Sequence, residues 1–237
     1  VSRLTFEGNA LYPAWTARGD TVYYSTDADS RDRDIWRRSA DGSGGAERVL
    51  ERVGQQFEIA LPATGGSALV REMRSTAGDL YILPLHPLGE PRPWSVSSFS
   101  ERAASLSPDA RWAAYTSNES GRDEVYVRAF PEAEGRWQVS SGGGTEPLWS
   151  SDGRTIYYRR ADTLFAAAVE TTPTFAVGQR RTVFATDFLE NPNHTNYDRD
   201  GRTGEFVVIA PGEGTETALV VVLNWFEELR ERMGRGR

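Results

Sequence analysis

The chain has no cysteine and no lysine; every one of its 27 basic residues is an arginine. Without thiols there is no disulfide, no cysteine nucleophile and no thiolate metal site. Without lysine there is no Schiff-base chemistry, no P-loop lysine and no kinase phosphate-binding lysine. There are two histidines, His86 and His194, far apart in sequence. That is too thin a ligand set for a metalloenzyme, and neither a metal nor another cofactor is expected. The G-x-S-x-G elbow of the α/β-hydrolases is also missing, so no catalytic residue is assigned. The longest apolar runs, 218–223 (ALVVVL) among them, are strand-sized. A spanning helix needs roughly 20 apolar residues, so no part of this chain is expected to insert in a bilayer. The opening VSRLTFEG has no apolar signal-peptide core and reads as beginning in mid-pattern, so any export signal is expected upstream. A net charge of −7 argues against binding nucleic acid through a basic face.

What the chain does contain is a repeat. Residues 147–158 (PLWSSDGRTIYY) read as strand, Asp-Gly turn and strand, with Ile156 and Tyr158 expected on an apolar face that alternates with polar or outward positions. Related stretches occur at 13–24, 59–70, 105–115 and 196–208. The spacing of roughly 45 residues is that of a four-stranded propeller blade. The chain is therefore expected to be all-β: one β-propeller domain of about five four-stranded blades, or part of a six-bladed or larger ring. The blades are placed at 7–50, 51–96, 97–140, 141–186 and 187–223. The last unit is one strand short, while residues 3–6 (RLTF) form a strand to spare. Pairing that segment with 218–223 would close the ring and remove two open sheet edges. A short helix is expected at 225–233, with Asn224 as its N-cap, Glu227 at the capping-box position and an apolar stripe of Trp225, Phe226, Leu229 and Met233.

Two segments invite a chemical reading. The acidic run 27–34 (DADSRDRD) resembles the start of a calcium loop but lacks its glycine and distal glutamate, and Arg31 and Arg33 interrupt it. A self-neutralising hairpin tip is the expectation. The long polar link 187–196 breaks the repeat most. It places His194 among Asn191, Asn193 and Asn196, next to Tyr197. In a propeller such links share one face with the second-to-third strand hairpins. The expected binding rim accordingly comprises His194, Asn193, Asn196, Tyr197, Arg159, Arg160 and Arg122, with a protein or peptide as partner.

The aromatic, S-P-D-G-like turn, D-[IL]-[WY] strand and R-L-T elements are similar to the TolB-type propeller repeat across nearly the whole chain. The ending VVVLNWFEEL resembles the carboxyl terminus of large bacterial Ser/Thr protein kinases that carry such repeats after the kinase domain. This resemblance implies a non-catalytic sensor or interaction propeller, an upstream kinase domain and an extracytoplasmic or scaffold-side location. A gating propeller of a prolyl-oligopeptidase-type peptidase and a structural oligomerisation unit are the alternatives.

Overall fold

A computed structural model describes residues 4–5, 8–29, 32–64, 66–73, 77–189 and 194–211, and the backbone of strand 217–222. Among the described residues there is no helix, and nineteen strands form five antiparallel sheets. The first sheet is β1 (Leu11–Trp15), β2 (Thr21–Thr26), β3 (Asp34–Ser39) and β4 (Glu47–Leu50). The second is β5 (Gln55–Ala60), β6 (Ser67–Met73), β7 (Gly78–Pro84) and β8 (Arg92–Ser95). The third is β9 (Glu101–Leu106), β10 (Trp112–Ser117), β11 (Glu124–Ala129) and β12 (Trp137–Gln138). The fourth is β13 (Thr145–Trp149), β14 (Thr155–Arg160), β15 (Thr163–Glu170) and β16 (Ala176–Ala185). The fifth has three strands among the described residues: β17 (Tyr197–Arg199), β18 (Phe206–Pro211) and β19 (Thr217–Val222).

Each sheet begins with the expected hairpin, and where the turn carries an Asp, as in every sheet but the second, that acid is structural. In the fourth sheet Ser150 Oγ donates to Asp152 Oδ1 at 2.6 Å, and Asp152 Oδ1 also accepts the Arg154 amide at 3.1 Å. Gly153 supplies the positive φ of 69° that the turn requires. The third sheet repeats the arrangement with Ser107, Asp109 and Arg111, at the same 2.6 and 3.1 Å. There Ala110 adopts φ 52° in place of glycine.

The expected alternation along 155–158 does not hold, because Ile156, Tyr157 and Tyr158 are all buried. The reason is face-to-face packing of sheets. Ile156 and Tyr158 join Trp112, Val125 and Val127 of the third sheet, whereas Tyr157 joins Phe206 and Val208 of the fifth. The same division runs through the molecule. Val70 packs toward the first sheet and Leu69 toward the third; Ala113 faces the second sheet and Ala114 the fourth. Four apolar clusters thus fill the four interfaces between consecutive sheets. The first strands β1, β5, β9 and β13 adjoin one another in turn, so they surround the centre of the array.

Two further expectations need revision. The outer strand of the fourth sheet, expected at 182–185, runs from Ala176 to Ala185, with two register shifts against β15. The expected closing strand 3–6 lies partly outside the described residues. Its described members, Leu4 and Thr5, belong to no strand, and the Leu4 carbonyl accepts a hydrogen bond from Arg38 on β3 at 2.9 Å. The helix expected at 225–233 falls outside the described residues altogether.

Candidate functional site

Irregular backbone at the first strands builds the site. A register shift interrupts β1, β5, β9 and β13 at equivalent positions. Three non-glycine residues there take positive φ: Tyr12 at 55°, Ala103 at 48° and Glu146 at 57°. Such bulges re-aim backbone groups away from the ladder, and here carboxylates receive them. Glu58 Oε2 accepts the Ala103 amide at 3.1 Å, and Glu146 Oε2 accepts the Asn196 amide at 2.8 Å.

These carboxylates belong to a belt of charge pairs. Asp27 meets Arg33 at 3.4 Å, Glu58 meets Arg71 at 3.8 Å and Glu146 meets Arg159 at 2.7 Å. Asp123 and Arg102 form the pair of the third sheet. Each of the first four sheets therefore contributes one arginine–carboxylate pair to the belt. The link into the fifth contributes His194, whose Nδ1 lies 2.9 Å from Glu58 Oε1, 136 positions away in sequence. The His194 ring also packs on Tyr12 at 5.0 Å between centroids, and Tyr12 meets Phe57 edge-on at 5.9 Å. Residues from the first, second and fifth sheets thus converge on one cluster.

Burial governs the electrostatics. It raises the Tyr12 phenol above its ordinary range, helped by Glu58 and opposed by Arg71 and Arg33. Burial lowers Arg71, and Arg102 acts in the same direction while Glu58 opposes it. Glu146 is fully enclosed, and burial raises it despite Arg159 and the Asn196 amide. Its Oε1 is close to Arg159 but poorly angled for a hydrogen bond, so the charge is only partly compensated.

Of the residues expected on the binding rim, four come together. His194 is held by Glu58, and Asn196 Nδ2 donates to the His194 carbonyl at 2.8 Å. Tyr197 Oη donates to the Glu146 carbonyl at 2.6 Å, and Arg159 joins through Glu146. Tyr197 and Arg159 are buried, so they support the cluster from beneath and are not open to a partner. Arg160 lies apart, donating to the Ser141 carbonyl and stacking over Phe165 at 4.4 Å. Arg122 is also apart; it is exposed and 3.7 Å from Glu124. Asn193 lies outside the described residues. Tyr12, Phe57, Glu58, Arg71 and Glu146 were not expected at a site. Their only signal was a charged residue inside an otherwise apolar first strand, as in QQFEIA and TEPLW.

In the acidic run 27–34 the Asp27–Arg33 pair neutralises part of the charge and Asp29 is exposed, as expected of a hairpin tip, but other described members are tied to neighbouring segments. Asp27 accepts the Asn9 amide at 2.8 Å, Asp32 accepts from Gln55 Nε2 at 3.0 Å, and buried Asp34 pairs with Arg48 at 3.4 Å. Among the described residues no group of His, Asp and Glu is arranged to hold a metal ion. Two clefts, of about 540 and 480 Å³, open on the opposite face, between the third and fourth sheets and between the first and second. The larger is lined by the Ser107–Asp109 and Ser151–Arg154 turns, whose Asp side chains are already engaged within the turns.

Glu101, at the start of β9, gives the His194 face a pH response. It is 2% exposed, its Oε1 accepts Ser97 Oγ at 2.8 Å, and its Oε2 has no hydrogen-bond partner among the described residues. Burial pushes its carboxyl up to about 7, and Asp79 and Glu119 push the same way. Because the folded value lies above the ordinary carboxyl value, the stability Glu101 contributes is complete below about pH 4.5 and is lost as pH rises through about 7. Glu101→Gln is therefore expected to leave the melting temperature nearly unchanged at pH 4.5. At pH 8 it should stabilise by on the order of 2 kcal/mol, or about 5 °C. Equal shifts at both pH values would refute this assignment.

Radially packed four-stranded antiparallel sheets define the class of the fold: a β-propeller. Its neighbours among solved structures include TolB-like propellers. The chain resembles a protein assigned as TolB from Agrobacterium tumefaciens, with TM-score 0.63, 13% identity, and coverage of 76% of this chain and 67% of that one. It resembles TolB from Acinetobacter baumannii with TM-score 0.60 and 16% identity, covering 91% of this chain and 55% of that one. A chain of a nidogen/laminin complex matches with TM-score 0.60 and 12% identity, over 89% of this chain and 80% of that one. The chain thus spans little more than half the length of the Acinetobacter protein. At these identities the likeness is one of fold. No protein-family description and no curated protein matches the sequence. Nothing among these similarities connects the chain to a protein kinase.

Proposed function

We propose that the chain is a non-catalytic recognition propeller that binds a protein or peptide on the face carrying His194. The observation that carries this reading is the composition of that face. Of the five large apolar residues exposed among the described residues, three lie in the two links that flank the second sheet: Val53 at 89%, Val96 at 51% and Phe99 at 39%. Half-exposed Tyr12 and Phe57 adjoin them through the first strands, over a belt whose charges are already paired. Apolar and aromatic side chains above satisfied polar groups are the composition of a protein-binding hot spot. The nidogen/laminin neighbour comes from a structure of two proteins in complex, which supports the same use of the fold. The finer reading is a ring of five blades, closed by residues 3–6 against 218–223. In that reading the ring stands after a kinase domain on the extracytoplasmic side; the VVVLNWFEEL ending alone supports the kinase link.

The test is peptide display against the intact chain. Selected peptides are expected to lose at least tenfold in affinity, about 1.4 kcal/mol, with Phe99→Asp. They should bind unchanged with Leu88→Asp, since exposed Leu88 lies on the opposite, turn-bearing face. The reverse pattern, or no enrichment of any peptide, would overturn the proposal.

A further inference from the structure

The belt holds an imbalance that points to the partner's chemistry. In the first four sheets each arginine has a carboxylate of its own, whereas His194 brings none and leans on Glu58, which Arg71 approaches only to 3.8 Å. A carboxylate accepts only, so His194 Nδ1 donates to Glu58 Oε1. That leaves Nε2 as the ring's outer nitrogen, with no partner among the described residues, and the His194 side chain is 29% exposed. Arg33, at 14%, is the most exposed of the four belt arginines. Like Arg71, it acts electrostatically on the Tyr12 phenol that packs against His194.

We infer that the His194 cluster binds a carboxylate of an acidic peptide segment, with uptake of a proton at His194 Nε2. This rests on the recognition function proposed above and names the chemistry of its partner. The imidazolium donates from Nδ1 to Glu58 and from Nε2 to the incoming carboxylate, while Arg33, already paired with Asp27 and donating to the Asn9 carbonyl, contributes only through its field. Among the described residues the charged and titratable groups around His194 are Glu58, Tyr12, Arg33 and Arg71; Arg102 acts on Arg71, and the Glu146–Arg159 pair is reached through Asn196. Glu101, at the start of β9 on the same side of the array, is itself pushed up to about 7 by burial, so the pH dependence of binding is read in the Glu101→Gln variant.

The probes are acetylated, amidated pentaglutamate and pentaglutamine, titrated into the intact chain. Pentaglutamate is expected to bind saturably at pH 6 and to weaken by up to about tenfold per pH unit toward pH 8, the limit for one linked proton. Pentaglutamine should bind at least tenfold more weakly. His194→Gln should abolish the pH dependence while leaving the melting temperature within about 2 °C, because glutamine keeps an amide donor for Glu58 at this half-buried position. Arg33→Gln provides a second variant, expected to weaken binding while retaining its pH slope. Equal affinity for the two peptides, or unchanged pH dependence in His194→Gln, overturns the inference. Absence of saturable pentaglutamate binding also overturns it. In each case the display experiment with Phe99→Asp still decides the recognition function separately.

Discussion

Glu146→Ala is expected to lower the stability of the chain by about 3–5 kcal/mol, the cost of breaking a buried ion pair by removing one partner. Glu146 has no exposed surface, and its side chain serves two groups at once. Without it the Arg159 guanidinium, 9% exposed, keeps among the described residues the Leu189 carbonyl at 3.2 Å and the face of Phe188. The Asn196 amide loses its acceptor as well. Glu146→Gln should behave differently. Burial raises the Glu146 carboxyl, so its ionisation in the folded state is unfavourable relative to water. An amide keeps an acceptor near the Asn196 N–H and removes the cost of burying a charge, so a loss of about 1 kcal/mol is expected. Urea unfolding at pH 7 with both variants distinguishes the cases. Equal losses would mean that shape, and not the burial of Arg159, sets the cost.

The belt explains how far the sequence could be read. Asp152 and Asp109 were legible as turn residues because their partners, Ser150 and Ser107, stand two positions away. His194 and Asn196 stood out because the link that holds them breaks the repeat. Glu58, Arg71 and Glu146 did not, because their partners lie 13 or more positions away and their strands read as ordinary ones. The start of β16 was missed for a related reason. Gly178, Gln179, Arg180 and Arg181 carry no apolar signal, and the strand is held by backbone pairing to β15. Arg160 and Arg122 were grouped with the rim by proximity to its hairpins; their side chains turn instead to Phe165 and Glu124. A repeat shows where the chain turns, whereas contacts across its centre depend on which residues of different repeats point inward together.

Phe175→Ala is the second large effect, expected to cost about 3–5 kcal/mol by opening a cavity among tryptophans. Phe175 is 3% exposed in the connection between β15 and β16, and it packs against Trp112 at 5.0 Å, Trp137 at 5.3 Å and Trp149 at 6.4 Å. Its importance shows in a comparison within the fold. Trp15 and Trp149 hold the same register, paired with Val22 and Ile156 just beyond their turns. Trp149 is 7% exposed and Trp15 is 55% exposed. The corresponding connection of the first sheet, between β3 and β4, is ADGSGGA and carries no aromatic to cover Trp15. Trp15→Ala should therefore cost less than about 1 kcal/mol, whereas Phe175→Ala should also shift tryptophan emission to the red as water reaches Trp112 and Trp149. If the urea midpoint falls with an unchanged slope, the lost packing is native-state packing. A Trp15→Ala loss as large as that of Phe175→Ala would show that the first sheet's outer face is covered in solution, and the comparison between the two tryptophans would fail.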